Sequence, residues 1–180
     1  MEGASAWIWK RRTWRQLHLS GDGKTPEIEA VVLSEASLDD AAAVPELLGQ
    51  RSRPVEQVSA DGAYDKRKVY EACAERGIRR VSIPPRREAR IWQQGNGAAA
   101  PLARDENLRR IWQVGRRRWK GESGDHRRSL AETARFRFKA IFGGQLRARK
   151  LPQQQAEAQV KCAALNRMTH LGMPDSYRVA

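Results

Sequence analysis

The chain has 180 residues, with 34 lysines and arginines against 21 aspartates and glutamates, a net charge of +13 and a pI near 10.6. That length suits one domain, and 40% hydrophobic residues are enough for a packed core, which argues against a wholly disordered chain. No apolar run is long enough for an ordinary membrane-spanning helix, and Met1 to Trp7 lacks the basic start and apolar stretch of a secretory signal. Two cysteines, Cys73 and Cys162, can build neither a zinc site alone nor a disulfide framework, and read as reduced core residues of a cytosolic protein.

A soluble chain this basic calls for a polyanionic partner. The charge is also uneven. Arg104 to Lys150 holds 15 Lys and Arg against 5 Asp and Glu, a surplus of 10 out of the total 13. A merely solubilising surface would spread its charge, whereas a binding face concentrates it.

Residues 13–22 alternate, with Leu17 and Leu19 on one side and Gln16, His18 and Ser20 on the other, which predicts a strand with one buried face. Gly21 to Pro26 is turn chemistry, and Asp22 is a turn-former there. Glu27 to Ser34 reads as the returning strand. A helix begins at Ser37 with Asp39 and Asp40 near its positive end, and Pro45 must lie close to its first turn. Val55 to Ala60 is a short strand leading to Asp61-Gly62-Ala63-Tyr64-Asp65, which places a carboxylate at the carboxyl end of a strand, where open α/β sheets bind ligands. Asp65 is the expected N-cap of a helix over 66–76 that Gly77 ends, and Ile78 to Ile83 is a further strand.

From 86 to 103 the periodicity fades into a mobile, basic insert. Asn107 to Val114 is helical, and Arg116-Arg117-Arg118-Trp119-Lys120 runs up to a break at Gly121 to Gly124. Trp112 and Trp119 lie amid arginines and read either as core residues or as stacking area. Residues 126–142 form the most informative helix. A last packing helix over 153–171 places Val160, Ala164, Met168 and Leu171 on one stripe. The order of elements predicts an α/β mixed sheet with helices on its faces, in one domain over 1–180.

On a helical wheel Arg128, Glu132, Arg135 and Lys139 fall within one narrow sector, opposite Leu130, Ala134, Phe138 and Ile141. Two readings stand. One is an ordinary i,i+4 ladder of ion pairs. The other is a metal-binding carboxylate flanked by cations that keep it ionised and hold phosphate.

Val58 to Asp65 and His126 to Lys139 resemble the catalytic blocks of bacterial insertion-sequence DDE transposases. Lys10 to Leu19, Gly115 to Lys120 and Lys161 to Met168 fit the same family, in the right order, over nearly the whole chain. The resemblance implies a ribonuclease H-like core whose three acids hold two Mg²⁺ or Mn²⁺ ions, and metal-dependent cleavage and transfer of double-stranded DNA at transposon ends. Asp61 matches the second acid and Glu132 the third. Arg128 and Lys139 match the flanking cations that contact DNA phosphates near the cleaved end. Arg135, Arg116, Arg117, Arg118 and Lys120 join them as DNA-binding candidates.

Two departures accompany the match. Asp125 stands where the family signature has Tyr, which adds negative charge beside phosphate. In similar proteins the first acid also lies on a strand before the hairpin, and this chain begins too late to hold that strand, so the sheet is expected to lack its first strand. Asp22 sits in a turn and Glu2 has no strand context, so neither replaces that acid. The expectation is therefore an impaired transposase fragment. The alternatives are a non-catalytic DNA-binding remnant, able to oligomerise with itself or with an intact transposase, and a degenerate product with no role. All these readings place the chain in the cytoplasm with the nucleoid, without a membrane partner.

Overall fold

The computed structural model describes residues 14–93 and 101–172. Residues 10–13, the start of the Lys10 to Leu19 block, and residues 94–100 of the expected insert lie outside the described residues.

The chain's first described unit is an antiparallel hairpin, β1 (Arg15–Gly21) and β2 (Ile28–Glu35), with His18 opposite Val32 and Leu19 opposite Val31. In its turn the Asp22 carboxylate accepts from the backbone N–H groups of Lys24 at 2.6 Å and Thr25 at 3.3 Å, as turn chemistry requires. Gly21 has a steric reason: a Cβ there would meet the Glu27 carbonyl oxygen at 3.0 Å.

β1 does not have the single buried face that its alternation suggested. Leu17 and Leu19 lean on a cluster made by Ile28, Val31, Ala134, Phe138, Ala158, Cys162 and Leu165. His18, expected on the solvent side, is the most buried residue of the strand because a second layer covers it. That layer is a 3-10 turn (Asp40–Ala43) followed by α1 (Val44–Gly49), whose Ala43 and Leu47 meet Ala30 and Val32 of β2. Asp39 caps the turn through the Ala41 N–H, and Pro45 falls in the first turn of α1, where its missing N–H costs no bond.

The second unit is parallel. β3 (Gln57–Ser59) pairs with β4 (Arg80–Ser82) in the register Val58 to Val81 and Ser59 to Ser82. Between them run a 3-10 turn (Gly62–Tyr64) and α2 (Arg67–Glu75). Its core joins Val44 and Leu48 to Val69, Tyr70, Cys73, Ile78, Val81 and Ile83. Asp65 is not the cap of α2: Lys66 takes the N-cap position with no side-chain bond, and Asp65 turns to Arg104 at 2.8 Å and to the Tyr70 hydroxyl at 3.1 Å. Gly77 ends the element at φ +71°, as expected.

α/β character is therefore as read, but among the described residues the strands form two separate two-stranded sheets rather than one mixed sheet. Strand pairing needs neighbours about 4.8 Å apart, and a cleft lined by both strands separates β1 from β3.

Four helices complete the chain: α3 (Ala103–Val114), α4 (Arg116–Ser123), α5 (Ser129–Phe142) and α6 (Leu151–His170). The expected break falls at the end of its stretch: α4 runs through Gly121 to Ser123 and stops at Gly124, which takes the left-handed conformation. α6 packs, but not on the expected stripe. Gln154, Ala158, Cys162 and Leu165 are buried, while Val160, Met168 and Leu171 are exposed. Its amides cover the outer edge of β2. Gln155 accepts from the Leu33 N–H and donates to the Val31 carbonyl, and Asn166 does both at Ile28. Gln50 adds the same pair of bonds at Val31. A strand edge capped in this way cannot template further pairing.

The described ends of the insert are held. The backbone N–H groups of Trp92 and Gln93 donate to Asp105, the Leu102 N–H donates to Gln93, and the Arg104 guanidinium lies 3.7 Å from the Trp92 ring centroid. No helix among the described residues is long and apolar enough to cross a membrane.

Candidate active-site cleft and basic surface

Asp61 leaves the carboxyl end of β3 in an extended conformation, φ −76° and ψ 173°, which turns its side chain over the following 3-10 turn. There Oδ1 accepts from the Ala63 N–H at 2.8 Å. Oδ2 has no partner among the described residues. Glu132 stands in the first turn of α5, near the positive end of the helix. One oxygen accepts from Arg128 at 3.2 Å, and the side chain is 66% exposed.

These two carboxylates, 71 positions apart, line the same cleft of about 450 Å³. Its walls are Leu17 to Lys24 of the hairpin, Gln57 to Asp61, Tyr64, and Arg128, Ala131, Glu132 and Arg135 of the α5 region. A larger cavity of about 940 Å³ lies between β4, α2, α3 and α4, but it holds none of the candidate acids.

Of the three cations placed around Glu132, Arg128 alone pairs with it among the described residues. Arg135 makes no ion pair there and reaches across the cleft, where its charge depresses both the His18 and the Tyr64 pKa. Burial, then Asp40 and Asp61, outweigh it at Tyr64 and push that phenol up to about 12, so the hydroxyl keeps its proton. Lys139 is exposed with a free ammonium among the described residues. The ladder reading of α5 is thus realised at one rung only.

The basic run on α4 lies outside the cleft. Arg116 donates to the Pro85 carbonyl at 2.7 Å, Arg118 shares Glu122 with Arg110, and Arg117 projects into solvent without an ion pair among the described residues. Lys120 faces Asp125 at 3.8 Å, and Arg128 faces the same carboxylate at 3.6 Å, which links α4 to the cleft. Trp119 is core, 2% exposed, with its indole N–H on Asn107, whereas Trp112 is 62% exposed.

The donor set of the cleft is hard oxygen, which suits Mg²⁺ or Mn²⁺ with water and phosphate oxygens completing the shell. The described residues contain no group of three or more His, Cys, Asp or Glu able to hold a metal ion. Asp61 and Glu132 are the two candidate acids that line the cleft. Sequence reasoning missed His18, Tyr64, Lys24 and Arg53 as cleft residues. Tyr64, three residues beyond Asp61, was within reach of motif spacing; the others depend on how the hairpin meets β3.

No solved structure matches the chain. The model of the transposase DDE domain family matches residues 3–167, nearly the full length, and with both motif acids in one cleft beside a basic surface, the chain belongs to that family.

Proposed function

We propose that this chain engages double-stranded DNA at the ends of an insertion-sequence element, and that the β1–β3 cleft is where a scissile phosphodiester is held. The observation that carries the reading is the convergence of Asp61 and Glu132 on one cleft with Arg128 and Arg135 beside them. On this reading the hairpin, the β3–α2–β4 unit and α5 are the described parts of a ribonuclease H-like core. Asp61 and Glu132 hold a divalent ion, whose role when bound is to polarise the phosphodiester and favour an attacking oxygen. Arg128 orients Glu132 through their 3.2 Å contact. Arg135 and Lys139 grip backbone phosphates along the same face of α5, and Arg116, Arg117, Arg118 and Lys120 extend that grip along α4. Tyr64, protonated, offers a hydrogen-bond donor at the cleft wall. Such a protein works in the cytoplasm on the nucleoid.

A second reading has a specific observation behind it. With two carboxylates and no larger acidic group among the described residues, the chain binds DNA without completing strand transfer, alone or with an intact transposase. The test is a labelled transposon-end duplex incubated with the protein and Mg²⁺ or Mn²⁺. The enzymatic reading expects nicked or joined product, lowered at least about 100-fold by Asp61→Asn and by Glu132→Gln while duplex binding persists. Salt-sensitive binding with no metal-dependent product establishes the second reading. No binding at all overturns both.

A further inference from the structure

Asp125 sits between the two basic elements, in the turn that joins α4 to α5. It is 4% exposed, and its Oδ1 is buried with no hydrogen-bond partner among the described residues. Its Oδ2 faces Lys120 Nζ at 3.8 Å and Arg128 Nε at 3.6 Å. Buried carboxylates normally collect close, directed donors. Here the carboxylate is balanced instead by two cations just beyond hydrogen-bond range. Those cations come from different elements and have room to turn, their side chains being 43% and 33% exposed, while Asp125 is fixed by burial. To an ammonium or a guanidinium, a phosphodiester oxygen is the same kind of ligand as a carboxylate oxygen.

We infer that Lys120 and Arg128 form a phosphate subsite whose internal occupant is the Asp125 carboxylate, and that Asp125 thereby sets how tightly the chain holds DNA. The inference rests on the proposed DNA-binding function. When a phosphodiester arrives, Lys120 and the Nε side of Arg128 turn from Asp125 to the phosphate while Arg128 Nη1 stays on Glu132, leaving a buried acid with less countercharge. Each phosphate gained is therefore offset by the loss of an internal pair, and the affinity is lower than the density of positive charge implies.

Asp125→Asn keeps the shape and removes the charge. In fluorescence anisotropy with a labelled duplex, the variant is expected to bind about 3- to 10-fold more tightly. The plot of log K against log salt should steepen by about 1, because one cation charge no longer cancelled by Asp125 is left to displace a counterion from the duplex. Arg128→Gln, added to the Asp125→Asn variant, should weaken binding several-fold more than it does in the parent. Unchanged or weaker binding by an Asp125→Asn variant that melts like the parent overturns the inference. Should the variant fold poorly, Lys120→Gln in the parent decides. A loss under about 2-fold is expected, because Asp125 already engages that ammonium, and a loss of about 10-fold overturns the inference. If the parent shows no salt-sensitive DNA binding, the proposed function fails with it; if the parent binds but neither variant behaves as stated, only the role of Asp125 fails.

Discussion

Burial holds the His18 imidazole below its ordinary pKa of 6.5; Asp40 pulls the other way, Arg135 adds to the depression, and Glu46 opposes it weakly. The neutral ring bonds Ser34 Oγ at 2.9 Å inside the hairpin layer. An unfolded chain takes up this proton near pH 6.5, and the folded chain only at lower pH. The contribution of neutral His18 is thus complete above about pH 6.5 and is lost as pH falls from there toward the folded value. The melting temperature should drop between neutral pH and about pH 5, and His18→Gln should flatten that drop. An equal drop in the variant would place the titrating group elsewhere. Glu157 does not interfere, because Lys161 and the backbone N–H groups of Ala148 and Arg147 hold it at about 2, so its loss begins at more acid pH. Asp65 shows the same dependence on distant partners. Its local sequence favours a helix cap, but a buried guanidinium 39 positions away offers a charged donor at 2.8 Å and takes the carboxylate.

At the scale of the element, α6 is ambiguous on a wheel because alanines and amides surround it. The stripe through Val160 and Met168 is as apolar as the one through Ala158, Cys162 and Leu165. What selects the second is the edge of β2, whose free N–H and C=O groups need Gln155 and Asn166 turned toward them. An unmade buried backbone bond costs about 1–3 kcal/mol, more than the difference between the two apolar stripes. Leu165→Ala should therefore cost about 2–4 kcal/mol in denaturant unfolding, and Val160→Ala should stay within about 0.5 kcal/mol. Equal losses would mean that α6 packs by its other face. Helix α5 was more legible. Ala134 and Phe138 are buried as its pattern predicts, although Ile141 on the same side remains 48% exposed near the end of the helix.

For the molecule as a whole, the surplus charge divides into cations already paired and cations left free. Arg110, Arg118, Lys120 and Arg128 answer to Glu122, Asp125 and Glu132. Arg117, Arg135 and Lys139 make no ion pair among the described residues, so they can meet phosphate without breaking an internal contact. Counterion release at those three positions alone predicts a slope of log K against log salt near −3, at about −0.9 per phosphate. Changing all three to Gln should remove most of that slope. A parent slope near zero would show that the basic surface does not meet DNA.

Composition by itself pointed to a polyanionic partner, and the resemblance of its motif blocks to a known family singled out that family and two candidate acids, because charge and short motifs are local properties of a chain. The Asp22 turn, the Gly77 terminator and the place of Asp61 after a strand were legible for the same reason. Tertiary structure decided that Asp61 and Glu132 line one cleft, that the strands divide into two sheets among the described residues, and that Asp125 lies buried between Lys120 and Arg128. Those outcomes depend on which surfaces cover which, and burial turns a modest local preference into a large free-energy difference only after distant segments have come together.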